Sequence, residues 1–502
     1  MKVREKWASK LGVILAVAGS AVGLGNFLRF PGLAAQNGGG TFMIPYFVAF
    51  VLLGIPLMWV EWSIGRFGGS HGHSTLPAMY QRMINKKWGK YLGVFGLFLP
   101  FVVLCYYIYI ESWTLAYSWF SISGKLSTLE SDSCGAFFGD YVSCGNIMNA
   151  GVFFFIITLV VNYLVLRKGV SGGIEKVCKT AMPALFIMAL IIMIRVLTLP
   201  GISKGMGFMW NPDFSQLKNV KIWLAATGQI FFTLSLGFGV IQTYASYLKK
   251  DDDIALSGLT SASLNGFAEV ILGASIAIPA AVIFFGTAAA QGIAESGTFS
   301  IAFVTMPMIF NNMGAGGPFY GFLWFFLLFI AGITSSISLA QPLIAFLEDE
   351  FSFSREKAVS TIFGLVIMMA IPIILYLNNG YVDELDFWAG NFLIVLSATI
   401  EIILFSWIFG IEKGWKEITR GSSIKIPVIF KFVLKYITPV YLIVLLITWI
   451  FQYAISQLKM TGIAAENISI TIGARIVMSL IIFIMLFLIS KSCTDFDTGG
   501  KK

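Results

Sequence analysis

The sequence predicts an all-α polytopic membrane protein of about 12 transmembrane helices. Three observations carry this: apolar residues make up 57% of the 502-residue chain, charged residues only 12%, and mean hydropathy is +0.83. An ordinary globular protein carries roughly twice that share of charge, so this chain has too little polar surface to face water on all sides. That excludes a soluble enzyme, a disordered chain and a nucleic-acid binder. Apolar stretches of roughly 20 residues fit helical spans, because lipid offers no water to backbone N–H and C=O groups. An outer-membrane barrel would instead show alternating segments of about 10 residues.

In chain order the spans fall at about 10–34, 40–65, 88–121, 149–166, 174–198, 221–248, 255–286, 319–347, 357–377, 386–410, 432–453 and 472–490. With the N-terminus on the cytoplasmic side, 26 of the 34 Lys and Arg lie in inner segments, among them Lys2, Arg4, Lys6, Arg66, Arg82 and Lys413. This bias predicts a multi-pass protein of the inner (plasma) membrane with both termini cytoplasmic. The first apolar stretch is too long, and too polar in its middle, for the core of a cleaved signal peptide. Cys134 and Cys144 fall in the segment between spans three and four, where a disulfide and two unpaired thiols are both open readings.

Spans one and six break the rules of a membrane helix. Span one reads Ala18-Gly19-Ser20-Ala21-Val22-Gly23-Leu24-Gly25-Asn26, and span six contains Phe232-Thr233-Leu234-Ser235-Leu236-Gly237-Phe238-Gly239. Glycine is poor in a helix interior but permits unwinding. One such helix is equally well read as a small-residue packing face. Two, five spans apart, suggest a unit of five helices repeated with inverted topology and a central binding site. Unwound carbonyls can hold a cation there, and half-helix N-termini a carboxylate.

Asn265 and Glu269 of span seven, Thr334-Ser335-Ser336 of span eight and Tyr106-Tyr107 of span three bring polar groups to the same depth. Glu61 and Glu269 need partners in the membrane. For Glu61 the expected partner is the broken backbone. The hydroxyl run of span eight is also open to a bland reading, back-bonding to its own preceding turn.

The chain resembles the neurotransmitter:sodium symporter family, through the blocks Ala21 to Pro31, Asn37-Gly-Gly-Gly40, Ile55 to Glu61, Gly228 to Gly239 and Phe346 to Glu350. The resemblance runs from Trp7 to about Trp449 and implies a LeuT-like 5+5 inverted repeat with broken helices 1 and 6. The chain then divides into a cytoplasmic segment 1–9 carrying the inner gate, a first repeat 10–198, an outer loop 199–220, a second repeat 221–411, and helices 11 and 12 with the C-terminus, 412–502.

The resemblance implies two sodium ions as coupling ions. Site one would use the Ala21 carbonyl, Asn26, Thr233, Asn265 and the substrate carboxylate. Site two would use the Gly19, Val22 and Ala331 carbonyls with the Thr334 and Ser335 hydroxyls. The substrate's carboxylate would meet the Leu24 and Gly25 amides and Tyr107, and its ammonium the Ala21, Phe232 and Thr233 carbonyls and Ser235. Val22, Val103, Phe232, Phe238, Ser335 and Leu339 would line an apolar side-chain pocket. Monoamine-carrying relatives have Asp at the position of Gly23; with glycine here, the ligand is expected to bring its own carboxylate. Ser20 and Leu33 stand where a bacterial relative has Asn and Gln.

These residues lead to the expectation of a sodium symporter importing a neutral hydrophobic amino acid by alternating access. Glu269 would supply the negative charge that chloride supplies elsewhere, beside Tyr46 and Gln229, making transport chloride-independent. The gates would be Arg29 with Asp386 outside, and Arg4 with Asp349 inside, supported by Trp7, Ser246 and Tyr247. The expected partners are the amino acid, sodium ions and the lipid bilayer; a homodimer is open. An amino-acid sensor that binds without transport is the alternative, though only about a dozen residues follow span twelve. An intramembrane enzyme is not expected: no H-E-x-x-H motif occurs, and His71 and His73 fall in a cytoplasmic loop.

Overall fold

A computed structural model describes residues 5–130, 133–143, 150–287, 290–292 and 297–492. Among these, all regular structure is helical. Among the described residues nine helices are long and apolar enough to cross a membrane: Gly40–Ser70 (span two), Gly89–Ile122 (three), Val170–Leu197 (five), Ile254–Phe285 (seven), Gly317–Phe351 (eight), Arg355–Leu375 (nine), Tyr381–Thr419 (ten), Ile429–Leu458 (eleven) and Ala465–Lys491 (twelve). Span one is the pair Lys10–Ala21 and Leu24–Gln36, bent by 56° at its break. The remaining expected spans are Ala150–Arg167 (four) and the interrupted pair Val220–Thr233 and Val240–Ala245 (six).

The helix ends follow from local chemistry. Ser9 caps span one by accepting from the Gly12 N–H, and Asn219 caps span six by accepting from Lys221. Asp253 caps span seven at Leu256 and accepts from the Ser423 N–H at 2.8 Å. Such caps satisfy donors that no helical carbonyl can reach. Partial burial pushes the Asp253 carboxyl up, but the hydrogen bonds from Ser423 and Leu256 outweigh it and hold it below the ordinary aspartate range.

Two expected boundaries meet local structure directly. Span ten runs through a wide π-type stretch at Leu404–Gly410, and Gly410 (φ 98°, ψ 128°) turns out of helical geometry next to the boundary expected at 411 before Ile411–Thr419 follows. The outer loop expected at 199–220 contains a short helix, Ile202–Trp210, which starts after Gly201 in the left-handed region (φ 85°).

Spans three and eight lie side by side along their length, and small residues allow it. A Cβ on Gly332 would come within 2.7 Å of Glu111, and one on Gly321 within 2.9 Å of Ser121. The lipid-facing surface is apolar: Ile367, Met368 and Ile371 of span nine and Ile476, Leu480 and Phe483 of span twelve are exposed. The broken spans sit at the centre, where Gly19, Val22, Asn26, Phe231 and Leu234 are all buried.

The breaks are held in place by neighbouring side chains. In span one, Val22 (ψ 85°) and Gly23 (φ −117°, ψ −162°) leave the helix. In span six, Ser235, Gly237 and Gly239 have φ of 54°, 80° and 79°. A side chain on Gly237 would meet the Ile394 carbonyl at 2.8 Å, and one on Gly239 the Gly96 backbone at 2.9 Å, so these two positions combine positive φ with close approach. Glu61 of span two accepts from the Gly237 N–H at 2.6 Å, and Ser397 of span ten donates to the Gly237 carbonyl at 2.8 Å. The expected backbone partner of Glu61 is thus present. Glu61→Ala removes the acceptor of a buried N–H, a loss of roughly 1–3 kcal/mol. The expected outcome is a lower melting temperature in detergent than for Ser63→Ala, whose hydroxyl only back-bonds to Trp59.

Candidate functional site

Two clusters of oxygen atoms flank the break in span one. At the first, the Asn265 side-chain amide lies 2.9 Å from the Ala21 carbonyl and 3.3 Å from the Thr233 carbonyl. Asn265 Nδ2 donates to Thr233 Oγ1 at 3.0 Å, and Asn26 Nδ2 donates to Thr233 Oγ1 at 3.2 Å and Asn265 Oδ1 at 2.8 Å. Asn26 Oδ1 accepts from the Gly23 N–H at 2.9 Å, tying the side chain to the break. Amide orientation follows from the surrounding network. With nitrogen towards Ala21 the carbonyl is satisfied without an ion. With oxygen there, oxygens face one another, an arrangement that a hard cation completes. Asn26 turns its nitrogen inward here, so its oxygen joins such a set only after an amide rotation. Gly273 makes the assembly possible: a Cβ on it would fall 2.2 Å from the Asn26 carbonyl.

At the second cluster, Ser335 Oγ lies 3.4 Å from the Gly19 carbonyl and 3.1 Å from that of Ala331. Thr334 Oγ1 lies 3.1 Å from the same Ala331 carbonyl. Four of the five expected donors of site two are thereby brought together, by the end of span one's first half and the middle of span eight. The fifth, the Val22 carbonyl, falls where the chain leaves the helix.

Between the clusters lies a small cavity lined by Ala21, Gly25, Val103, Tyr107, Phe232, Thr233, Ser235, Phe238, Ser335 and Leu339, all anticipated from the sequence, and by Ser20, Gly23 and Asn26. Two anticipated residues lie elsewhere. Val22 is buried and does not line the cavity, because the chain turns out of the helix at that residue. Leu24 lines the neighbouring space, although its N–H takes the expected direction and points to Tyr107 Oη at 3.3 Å. Gly23 is in close quarters: a Cβ there would stand 2.7 Å from Ser335 Oγ and 3.0 Å from Tyr107 Oη, so these side-chain ends would have to shift to admit it. Ser20 was visible in the sequence only as a departure from a relative. Its hydroxyl meets that of Ser235 at 3.4 Å, and Ser235 donates to the Ser20 carbonyl at 3.0 Å.

Next to this cavity a wider vestibule is lined by Arg29, Asp386, Tyr106, Phe138 and Phe299 among others, with Gly25, Tyr107 and Phe232 common to both spaces. Tyr107 and Phe232 thus form the floor between them. Arg29 and Asp386 do not touch. Arg29 Nη2 donates to Asn391 Oδ1 at 2.6 Å, and Asn391 Nδ2 donates to Asp386 Oδ2 at 2.8 Å. Asp386 also accepts from Tyr106 at 2.6 Å, and the Arg29 guanidinium lies 4.2 Å over the Phe232 ring. The expected outer pair is therefore relayed through Asn391, one turn along span ten, which sequence reasoning missed because nothing distinguishes this amide from others near the interface.

On the inner side Arg4 lies outside the described residues. Asp349 is exposed near the end of span eight. Tyr247 Oη accepts from Gln341 at 2.9 Å, whose carbonyl accepts from Arg355 at 2.8 Å, and Arg355 pairs with Glu348 at 3.2 Å. Trp7 Nε1 donates to the Tyr244 carbonyl at 2.9 Å with the rings edge to face, and Ser246 donates to Thr243.

Glu269 is fully buried on a π-type stretch of span seven, Phe267–Gly273, and accepts from both Tyr46 and Gln229. Two further buried carboxyls were legible in spans three and ten but not singled out. Glu111 accepts from Asn162 at 3.0 Å, and Glu401 from Gln242 at 2.9 and 3.0 Å.

Two interrupted helices that converge on a polar cavity within an apolar bundle define a membrane carrier. The chain belongs to the Sodium:neurotransmitter symporter family, which it matches over residues 4–149 and 139–495, and is a sodium-coupled, multi-pass membrane transporter. It is 33% identical over 446 residues to an uncharacterized sodium-dependent transporter of Methanocaldococcus jannaschii, covering 88% of this chain and 89% of the relative. A similar transporter of Haemophilus influenzae is 32% identical (90% and 99% covered), and the sodium-dependent serotonin transporter of Drosophila melanogaster 25% (90% and 77%). Among solved structures it is similar to MhsT in complex with L-phenylalanine, with a TM-score of 0.78, 30% identity, and 89% of this chain and 100% of that chain covered. The all-helical, LeuT-like fold expected from the sequence is thereby shown; of the 12 spans expected, nine helices, or ten with span one counted as one bent pair, are long and apolar enough to cross a membrane among the described residues.

The steric reading of Gly23 is tested by Gly23→Ala. Overpacking costs about 1–3 kcal/mol, so equilibrium binding of a labelled neutral amino acid should weaken about fivefold or more, while elution from a sizing column stays as in the parent.

Proposed function

We propose that the chain imports a neutral hydrophobic amino acid together with two sodium ions, independently of chloride. The single observation that carries this reading is the small cavity between two oxygen clusters at the broken spans, with no charged side chain in its lining. A zwitterion fits such a lining because peptide dipoles answer its two charges. The N-terminus of Leu24–Gln36 faces the carboxylate, and the freed carbonyls of spans one and six face the ammonium. L-phenylalanine, with which MhsT is in complex, is an amino acid of this class.

Gly23 supports an amino acid over a monoamine. Gly23 supplies no carboxylate, so the negative charge next to the first sodium arrives with the substrate. Sodium and substrate then bind better together than apart, a coupling that works equally in both directions. Phe238, Val103 and Leu339 offer the side chain only apolar contact, and one methylene changes such selectivity by only about 1–3 kcal/mol. The second ion joins the first half of span one to span eight, and its loss frees that half for opening to the inside.

The Glu269 carboxylate, held by Tyr46 and Gln229, occupies the place of a bound anion. The outer gate is the Arg29–Asn391–Asp386 relay over the Tyr107–Phe232 floor. The inner gate is the Arg4–Asp349 pair with Tyr247, and both termini face the cytoplasm.

Uptake of a labelled amino-acid panel into proteoliposomes tests the reading. An inward sodium gradient should drive accumulation of neutral apolar amino acids and not of monoamines; binding without accumulation would indicate a sensor. Thr334→Ala should raise the sodium concentration for half-maximal uptake several-fold, and an unchanged value would remove Thr334 from the ion site. Glu269→Ser should make uptake depend on chloride, whereas chloride stimulation of the parent would contradict the assignment.

A further inference from the structure

The chain segment before span one and the start of span five exchange carboxylates. Glu5 Oε2 accepts from the Val170 N–H at 2.7 Å, at the first turn of span five. In return Glu175, on the second turn of span five, accepts from the Ala8 N–H at 2.8 Å through Oε2 and from the Ser9 hydroxyl at 2.8 Å through Oε1. Each carboxylate therefore sits at the other helix's N-terminus, where the helix dipole favours negative charge. Glu175 is buried (1% exposed) and is also paired with Lys179 at 2.7 Å. The fit is tight on both sides. A Cβ on Gly12 would fall 2.1 Å from Glu175 Oε1, and one on Gly169 would fall 2.5 Å from Glu5 Oε1.

This clasp holds one end of a rod whose other end is the second ion site. The first half of span one, Lys10–Ala21, has 12 residues and so runs about 18 Å. Near its start Glu175 grips Ala8 and Ser9, and near its end the Gly19 carbonyl meets Ser335 of span eight. The rod packs along spans five, seven and eight, with Ser261 of span seven donating to the Ile14 carbonyl at 3.3 Å. Movement of this half-helix away from the bundle must break both attachments.

We infer that Glu175, reciprocated by Glu5, is a positioning residue that keeps the first half of span one docked and so sets how much sodium is needed to close the inner side. The inference rests on the sodium-symport reading above. Docked and undocked rods form a two-state equilibrium, and sodium at site two binds the docked state. Weakening the clasp lowers the docked fraction, and the apparent sodium affinity falls by the same factor.

The test places a reporter at Ser261→Cys, in a full-length chain whose five native cysteines are replaced by alanine, and follows alkylation by a water-soluble maleimide as sodium is titrated. In this parent, sodium should slow alkylation. Glu175→Gln should raise the half-protecting sodium concentration about fivefold or more, with full protection regained at saturating sodium; Glu175→Asp should fall between. A merely structural defect would lower the protected fraction without moving the midpoint. Gly12→Ala, which displaces the carboxylate by contact, should give the same shift and serves if Glu175→Gln does not fold. Midpoints that coincide with the parent's in both variants would overturn the inference. If the parent itself ignores sodium, the symport reading fails, and the clasp is then judged on sodium-free rates: faster in the variants supports it, equal rates overturn it.

Discussion

A peptide group that leaves a helix inside a membrane must find a new partner, and this requirement organises the whole molecule. Each unpaired N–H or C=O in hydrocarbon costs several kcal/mol. The two interrupted spans expose such groups in mid-chain, and the neighbouring helices supply partners for some of them: Glu61 and Ser397 for Gly237, Asn26 for Gly23. Other carbonyls at the breaks lie beside side chains of spans seven and eight: that of Gly19 accepts from Ser335, and that of Ala21 accepts from the Gly23 N–H at 3.0 Å with the Asn265 amide 2.9 Å away. On the proposed reading, the binding site is built on these backbone groups that the helical ladder does not pair.

This solution uses dipoles in place of charges. The cavity lining contains hydroxyls, an amide, phenyl rings and bare backbone, with no ionised side chain. Charges are kept at the margins. Arg29 and Asp386 line the vestibule, Arg355 pairs with Glu348 near the end of span eight, and Arg66 with Glu417 fixes span two to the C-terminal end of span ten at 2.9 Å. The interior carboxyls that remain, Glu61, Glu111, Glu269 and Glu401, each accept hydrogen bonds from neutral groups.

Much of this is legible in the residue string because the breaks need glycine, and glycine is visible. Gly23 and Gly25, and Gly237 and Gly239 five spans later, mark the centre of the site in the sequence itself. The oxygen-bearing residues Asn26, Thr233, Asn265, Thr334 and Ser335 follow from a membrane's intolerance of idle polar groups. Other features depend on where the chain points after it leaves the helix. Val22 turns away from the cavity and Leu24 lines the space beside it, which a count along the chain cannot tell. Asn391 as the link between Arg29 and Asp386, and Glu175 as a grip on Ala8 and Ser9, join residues 362 and 167 positions apart. Spans three and ten carry Glu111 and Glu401 openly, but a search for broken helices passes over intact ones.

The central claim is that freed backbone groups bind ion and zwitterion as one assembly, and reciprocal titration addresses it most directly. Binding of a labelled neutral amino acid to the purified protein is measured across a range of sodium concentrations, and sodium affinity is measured with and without that amino acid. A shared assembly requires each ligand to tighten the other by the same factor. Amino-acid affinity that is the same with and without sodium would contradict it.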